Sequence, residues 1–298
     1  MLQVDTVTKT YGGRTALREV SFGVGEGRIT GFVGANGAGK TTTMRIILGV
    51  LSADSGTVSL GGATLTSDDR RIFGYMPEER GLYPKMKVAE QITYFGRLHG
   101  MTARDAAAST TSLLERLDLA ARSNDTVDSL SLGNQQRAQI AAALVHKPEV
   151  LVLDEPFSGL DPLGVDSVLT VLQDAASNGA PVLFSSHQLD LVERLCDDLV
   201  IIANGEIRAS GSREQLQRAH GHDRYELDVD GDLGWLREEP GVTVVDFDFD
   251  VARGHALFET ADAAVAQSVL KRAIANGTVQ RFAPQHPSLA QIFREVIQ

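Results

Sequence analysis

Gly34-Ala35-Asn36-Gly37-Ala38-Gly39-Lys40-Thr41-Thr42 sets two glycines five residues apart and follows the second with a Lys-Thr pair. Glycines let the backbone turn tightly, so that consecutive N–H groups point into one concavity that suits an anion. Lys40 adds a full positive charge for the outer phosphates of a nucleotide, and the Thr41 hydroxyl is placed to ligate magnesium. Far downstream, the apolar run Val150-Leu151-Val152-Leu153 ends in two carboxylates, Asp154 and Glu155. With a phosphate loop upstream, Asp154 reads as a magnesium-side group. A second apolar run, Pro181 to Ser186, ends at His187, which reads as a polar group of the same site. Leu130-Ser131-Leu132-Gly133-Asn134-Gln135-Gln136-Arg137 places Ser131 as the N-cap of a helix.

These groups need rigid elements behind them. Ile29 to Val33 predicts a buried strand and Thr43 to Leu48 a helix, so the phosphate loop joins a strand to a helix. The helix starting near Lys40 aims its positive dipole end at the loop. Runs that are apolar throughout predict strands covered on both faces of a parallel sheet, and such sheets place ligands beyond their strand ends. Leu2 to Lys9 and Ala16 to Val24 predict extended segments, and Ser55 to Gly62 a strand and turn. Tyr11, in the turn Thr10-Tyr11-Gly12-Gly13, reads either as a platform for adenine or as a half-exposed turn residue. Arg71 to Glu79 predicts a short strand running into a loop. From Val88 to Leu119 the spacing turns helical, with Val88, Ile92 and Phe95 on one face and Leu113, Leu114 and Leu117 on another. The Ser131 helix is expected to run to about His146, before Pro148, and a further helix from about Leu163 to Ser177. Leu199 to Ile207 predicts a hairpin turning at Asn204-Gly205.

Near residue 215 the composition shifts. Strands are expected at Tyr225–Val229, Val242–Phe249, His255–Glu259 and Val279–Phe282. Helices are expected at Asp262–Asn276 and Ser288–Ile297. This is a small α+β domain over 216–298, without a catalytic constellation of its own. His220-Gly221-His222 invites a metal reading, but the pair sits in polar sequence that reads as linker.

Bulk properties narrow the class. The net charge of −11 and pI of about 5.1 argue against a broad basic surface for nucleic acid. The one cysteine, Cys196, sits in an apolar helical context, reads as a small buried hydrophobe and fits a reducing compartment. No apolar run approaches the roughly 20 residues that span a bilayer, and Met1-Leu2-Gln3-Val4-Asp5 lacks a signal-peptide pattern. A cytoplasmic protein is expected, with any membrane role exercised through a partner.

Taken in order over residues 1–215, the motifs resemble the nucleotide-binding subunits of ABC transporters. The likeness rests on the phosphate loop, Leu130-Ser131-x-Gly133-x-Gln135-Gln136-Arg137, Leu153-Asp154-Glu155-Pro156, Ser158-Gly159-Leu160-Asp161 and His187. It implies an α/β fold: an ABC-type P-loop NTPase core with an antiparallel β subdomain and a helical subdomain at about 80–147. It also implies ATP and Mg2+ as cofactors. Tyr11 would stack on adenine, and Asn36, Gly37, Ala38, Gly39, Lys40, Thr41 and Thr42 would hold the phosphates. Thr41 and Asp154 would serve the metal, Glu155 would polarise the attacking water, His187 would contact the γ-phosphate, and Asp161 would link the two sites of a dimer. Ser131, Gly133 and Asn134 would meet ATP held by another copy, in a head-to-tail homodimer that drives a membrane permease from the cytoplasmic face.

Two positions depart from the family pattern. Leu132-Gly133-Asn134 stands where Gly-Gly-Gln is usual, and Glu78 stands where a loop glutamine is usual, a carboxylate that can still reach magnesium. Gly74-Tyr75-Met76-Pro77-Glu78-Glu79-Arg80-Gly81-Leu82-Tyr83-Pro84 and the tail Pro287-Ser288-Leu289-x-x-Ile292-Phe293 look like the sodium-efflux (NatA-like) branch of exporters. The alternative is a non-transport ABC ATPase acting on DNA or ribosomes. A single cassette, no long heptad run and an acidic surface weigh against it.

Overall fold

The computed structural model describes residues 1–66, 68–79, 81–220, 223–250, 253–260, 262–285 and 288–297. Arg80, Gly221, His222 and Pro287 from the motifs above lie outside the described residues, as does the side chain of His220. The chain divides into two compact units, Met1–Arg213 and Glu214–Val296.

In chain order the first unit opens with strands β1 (Leu2–Tyr11), β2 (Arg14–Val24) and β3 (Ile29–Val33) and helix α1 (Lys40–Ile47). Strands β4 (Ser55–Leu60), β5 (Ala63–Thr64) and β6 (Phe73–Met76) follow. Then come helices α2 (Val88–Leu98), α3 (Ala103–Arg116) and α4 (Leu132–Leu144). Strand β7 (Val150–Leu153), helix α5 (Pro162–Ser177), strand β8 (Val182–Ser186), helix α6 (Leu189–Leu195) and the hairpin β9 (Asp198–Ala203) and β10 (Glu206–Ser212) complete it.

Two sheets share the core. One is antiparallel, ordered β2-β1-β4-β5. The other is ordered β10-β9-β3-β8-β7-β6, parallel except for β10. Every residue of β3, β7 and β8 is buried, as expected of strands covered on both faces. Leu2, Val4, Val20, Phe22, Phe32, Met44 and Ile47 pack in one apolar cluster, with the Phe22 and Phe32 rings 5.2 Å apart. Burying each such side chain contributes about 1.5–3 kcal/mol.

Register decides where the strands end. Val33 of β3 lies opposite Ser186 of β8, and Leu153 of β7 opposite Phe184. The residues that follow, the phosphate loop after β3 and Asp154 after β7, therefore flank the end of β8 on either side.

The second unit holds α7 (Arg213–His220, which begins at the division), β11 (Asp223–Asp230), β12 (Val242–Asp250), β13 (Arg253–Thr260), α8 (Ala263–Asn276), β14 (Thr278–Gln285) and α9 (Leu289–Ile297). Its sheet is antiparallel, ordered β12-β13-β11-β14. Leu227, Val229, Ala256 and Phe258 pack with Val269 and Ala273 of α8. The intervening residues of β11, Glu226 and Asp228, fall on the opposite face because side chains alternate along a strand.

The structure corrects several expectations. The helix after the phosphate loop starts at Lys40 as expected, with Gly39 at φ 114° as its N-cap, and ends at Ile47 rather than Leu48. Thr10 and Tyr11 belong to β1, and the turn is confined to Gly12 and Gly13, both at positive φ. Helix α4 stops at Leu144, short of His146. Helix α5 begins at Pro162, a residue whose fixed φ suits a first helical position. Cys196 is not helical: it is the extended residue after α6, buried, with its thiol pushed well up by burial. His220, read with His222 as linker, closes helix α7 over residues 213–220, in which Leu216 is buried.

Candidate functional site

The site grows from the ends of β3 and β7. Gly34 follows β3, and a Cβ there would stand 2.4 Å from the Ile202 carbonyl oxygen, so only glycine lets the loop leave the sheet at this point. Gly39 closes the loop in the left-handed region open to glycine. The first N–H groups of α1 have no acceptor inside the helix and face the loop's concavity. Lys40 is 8% exposed, and its Nζ donates to the carbonyls of Gly34 at 2.7 Å and Ala35 at 3.3 Å. The ammonium is thus held across the loop mouth by oxygens that a phosphate can replace.

From the other side, the Thr41 hydroxyl donates to Asp154 Oδ2 at 2.9 Å. Asp154 is buried, and its other oxygen accepts from the Ser185 hydroxyl. Ser185 Oγ in turn accepts from the Glu155 backbone N–H at 2.8 Å. That amide needs an anchor: Glu155 sits at φ 52°, which costs a non-glycine residue about 1–2 kcal/mol. Gln136, buried in α4, donates to the carbonyls of Glu155 at 2.9 Å and Pro156 at 3.1 Å. The backbone on both sides of Glu155 is therefore clamped. Its carboxylate, 11% exposed, lies 3.0 Å from His187 Nδ1. Burial pushes the Tyr75 phenol of β6 up from its ordinary value, and the charge of Asp154 adds to the rise.

A cleft of about 250 Å³ opens at this point. Asn36, Gly37, Gly39, Lys40, Thr41, Thr42, Glu78, Asp154 and Glu155 line it, with Ala16 from β2. The oxygen donors of Thr41, Asp154 and Glu78 are the hard kind that suit Mg2+. A buried ammonium and a helix N-terminus beside them fit a polyphosphate.

The remaining expected residues lie outside the cleft lining. Ala38 donates its N–H to Ala35 O at 3.1 Å within the loop. Tyr11 is 48% exposed, with Lys9 Nζ 5.6 Å from its ring centre. Ser131 caps α4 by accepting from the Asn134 N–H, and the Asn134 carboxamide oxygen accepts from Arg137. Ser131 and Leu132 are exposed at that helix tip. A Cβ on Gly133 would come 3.1 Å from the Gly159 carbonyl oxygen, so the tip sits tightly on the loop before α5. Asp161 caps α5 through the Gly164 N–H at 2.7 Å.

Sequence reasoning missed Ser185, Gln136 and Gln139. The last donates from α4 to the Pro77 carbonyl at 2.8 Å and the Glu79 carbonyl at 3.2 Å, on either side of Glu78. A polar Ser185-Ser186 pair closing an apolar strand was the available signal.

Residues 17–158 match the family model for ABC transporters, and residues 211–297 match the C-terminal domain of DrrA1-3-like ATP-binding proteins. An uncharacterized ABC transporter ATP-binding protein of Bacillus subtilis (strain 168), YhaQ, is 39% identical over all of this chain and 98% of its own length. The Nod factor export ATP-binding protein I of Ralstonia nicotianae is 36% identical over 72% of this chain and 68% of its own. The solved structure of an ATP-binding subunit of an ABC transporter superposes with a TM-score of 0.69 at 31% identity, covering 74% of this chain and 93% of that one.

Proposed function

The chain belongs to the ABC transporter ATP-binding proteins, and from that premise we propose that it powers export through a separate membrane permease by closing as a dimer around ATP. It is an ATPase that uses ATP and Mg2+. The observation that carries the proposal is the clamped Glu155. Its carboxylate is held beside His187, and its backbone beside Asp154, at the mouth of a phosphate loop. A relative named for Nod factor export supports the direction of transport.

Bound Mg-ATP supplies the phosphoanhydride to be cut. Around it, Lys40 leaves the Gly34 and Ala35 carbonyls to meet phosphate oxygen, while loop groups from Asn36 to Thr42 hold the remaining oxygens. Thr41, Asp154 and Glu78 would hold the ion. Glu155 orients a water for in-line attack and draws off its proton, and His187 fixes the rotamer of Glu155 and faces the terminal phosphate. Tyr11 stacks on the adenine. The exposed tip of α4, with Ser131, Gly133 and Asn134, meets the nucleotide of a second copy, and Asp161 sits beside that junction. Residues 1–215 form the ATPase domain and 216–298 an accessory domain. No described helix is long and apolar enough to cross a membrane. The protein works at the cytoplasmic face, attached through its permease. The DrrA-type likeness of the C-terminal region differs in name from the sodium-efflux branch expected from the motifs.

The test is Glu155→Gln. ATP affinity is expected to persist while turnover falls at least ~100-fold. Light scattering should then show a dimer that forms with ATP and dissociates without it. Near-native turnover in the variant, or a monomer at saturating ATP, overturns the reading.

A further inference from the structure

On its polar face, the sheet of the second unit carries a row of facing residues, one per strand: Asp248 of β12, His255 of β13, Asp228 of β11 and Arg281 of β14. The next row toward α9 brings Asp246 and Glu226 to either side of Leu257. Donor atoms of Glu226, Asp228 and His255 all lie within 4.8 Å of one another. Each of the three is partly buried. A cleft of about 200 Å³ opens beside them, lined by Arg224, Glu226, Asp246, His255 and Gln285 among others, which is room for an ion and several waters.

The charges do not cancel. Arg224 is taken by Glu259, at 2.5 Å. Arg281 lies 3.0 Å from Glu226 Oε2 and Arg237 shares a cleft with Asp246, and among the described residues these face the carboxylates of Glu226, Asp228, Asp246 and Asp248. Gln285 also donates to Glu226 Oε2, so both contacts described for that carboxylate fall on one oxygen. His255 Nδ1 lies 2.5 Å from Asp228 Oδ1. That contact sets an imidazole nitrogen and a carboxylate oxygen side by side as two of three donors.

We propose that Glu226, Asp228 and His255 form a divalent-cation site of Zn2+ type on the C-terminal sheet, with water completing the coordination. One nitrogen and two carboxylate oxygens favour an ion of borderline softness over Mg2+ or Ca2+. Around Zn2+ the donors stand about 3.4 Å apart, so the His255–Asp228 pair would open to admit the ion. Arg281 is the competitor: an ion beside Glu226 faces its positive charge. Substituting it should therefore tighten binding, while losing the imidazole should weaken it.

The experiment titrates Zn2+ into the full-length, nucleotide-free chain by calorimetry, with Co2+ absorption as a second readout. The native chain should take one more Zn2+ than His255→Gln, or bind it at least ~10-fold more tightly. Arg281→Gln should bind about 3–10-fold more tightly than native, a gain that no folding defect produces. A hundredfold excess of Mg2+ should leave the bound Zn2+ in place. Both variants should keep the native circular dichroism and ATP turnover. Equal uptake by native and His255→Gln chains, no tightening in Arg281→Gln, or displacement by Mg2+ would each overturn the site.

Discussion

Ser185→Ala removes one hydroxyl from the centre of the ATPase site, and its consequences separate positioning from binding. Ser185 is fully buried; it donates to Asp154 and accepts from the Glu155 N–H. A bond to a charged group contributes about 1.5–3 kcal/mol and a neutral one about 0.5–1.5, so the deletion should cost about 3 kcal/mol. For a unit of this size that lowers the melting midpoint by about 6–12 °C. The second effect is local. Without its anchor the Glu155 backbone can leave φ 52°, relieving about 1–2 kcal/mol of strain. The productive conformer then loses about 5–30-fold in population, and kcat should fall by that factor. ATP affinity should change by less than about twofold, because Lys40, Thr41 and the loop are untouched. Calorimetric melting, single-turnover hydrolysis and a fluorescent-nucleotide titration measure the three quantities. A native kcat with a lowered melting point would refute the positioning role, and a native melting point would refute the bridge itself.

Other substitutions address neighbouring contacts. Gly34→Ala places a methyl 2.4 Å from the Ile202 carbonyl oxygen, so nucleotide affinity should drop at least ~10-fold and stability by about 1–3 kcal/mol, read by titration and melting. Gln136→Ala strips the donors from the Glu155 and Pro156 carbonyls; turnover should fall further than ATP affinity, and equal losses in both would count against the clamp. His146 stacks on His99 at 3.6 Å and has its pKa lowered to about 4 by burial, with the charge of His99 adding to the effect. Below about pH 6.5 the unfolded chain takes a proton that the folded chain refuses. Stability should therefore be lost as pH falls from about 6.5 toward 4. Urea midpoints between pH 7 and 5 should fall more steeply for the native chain than for His146→Phe, and parallel slopes would exclude His146 as the cause.

Much of this architecture was written locally. The glycine spacing and the Lys40-Thr41 pair mark the loop because its backbone needs those residue types whatever surrounds it. The uniform apolar runs of β3, β7 and β8 mark buried strands for the same reason, and Asn204-Gly205 marks its hairpin, with both residues at positive φ. The C-terminal strands and helices followed their periodicities to within two or three residues. Helix α6 was legible only as the apolar helical context of Cys196, and α7 escaped because it is short and mostly polar. The sheet order was beyond reach of local pattern. That β8 lies between β3 and β7 is what brings Ser185 to Asp154 and Glu155, and only packing assigned Gln136 and Gln139 to the backbones of loops distant in sequence. Likewise, Glu226 and Asp228 are legible as neighbours on one strand face, but His255 joins them only through the β11–β13 register. Residue type and short-range spacing determined what each segment is; strand pairing, a long-range choice, decided which chemistry stands beside which.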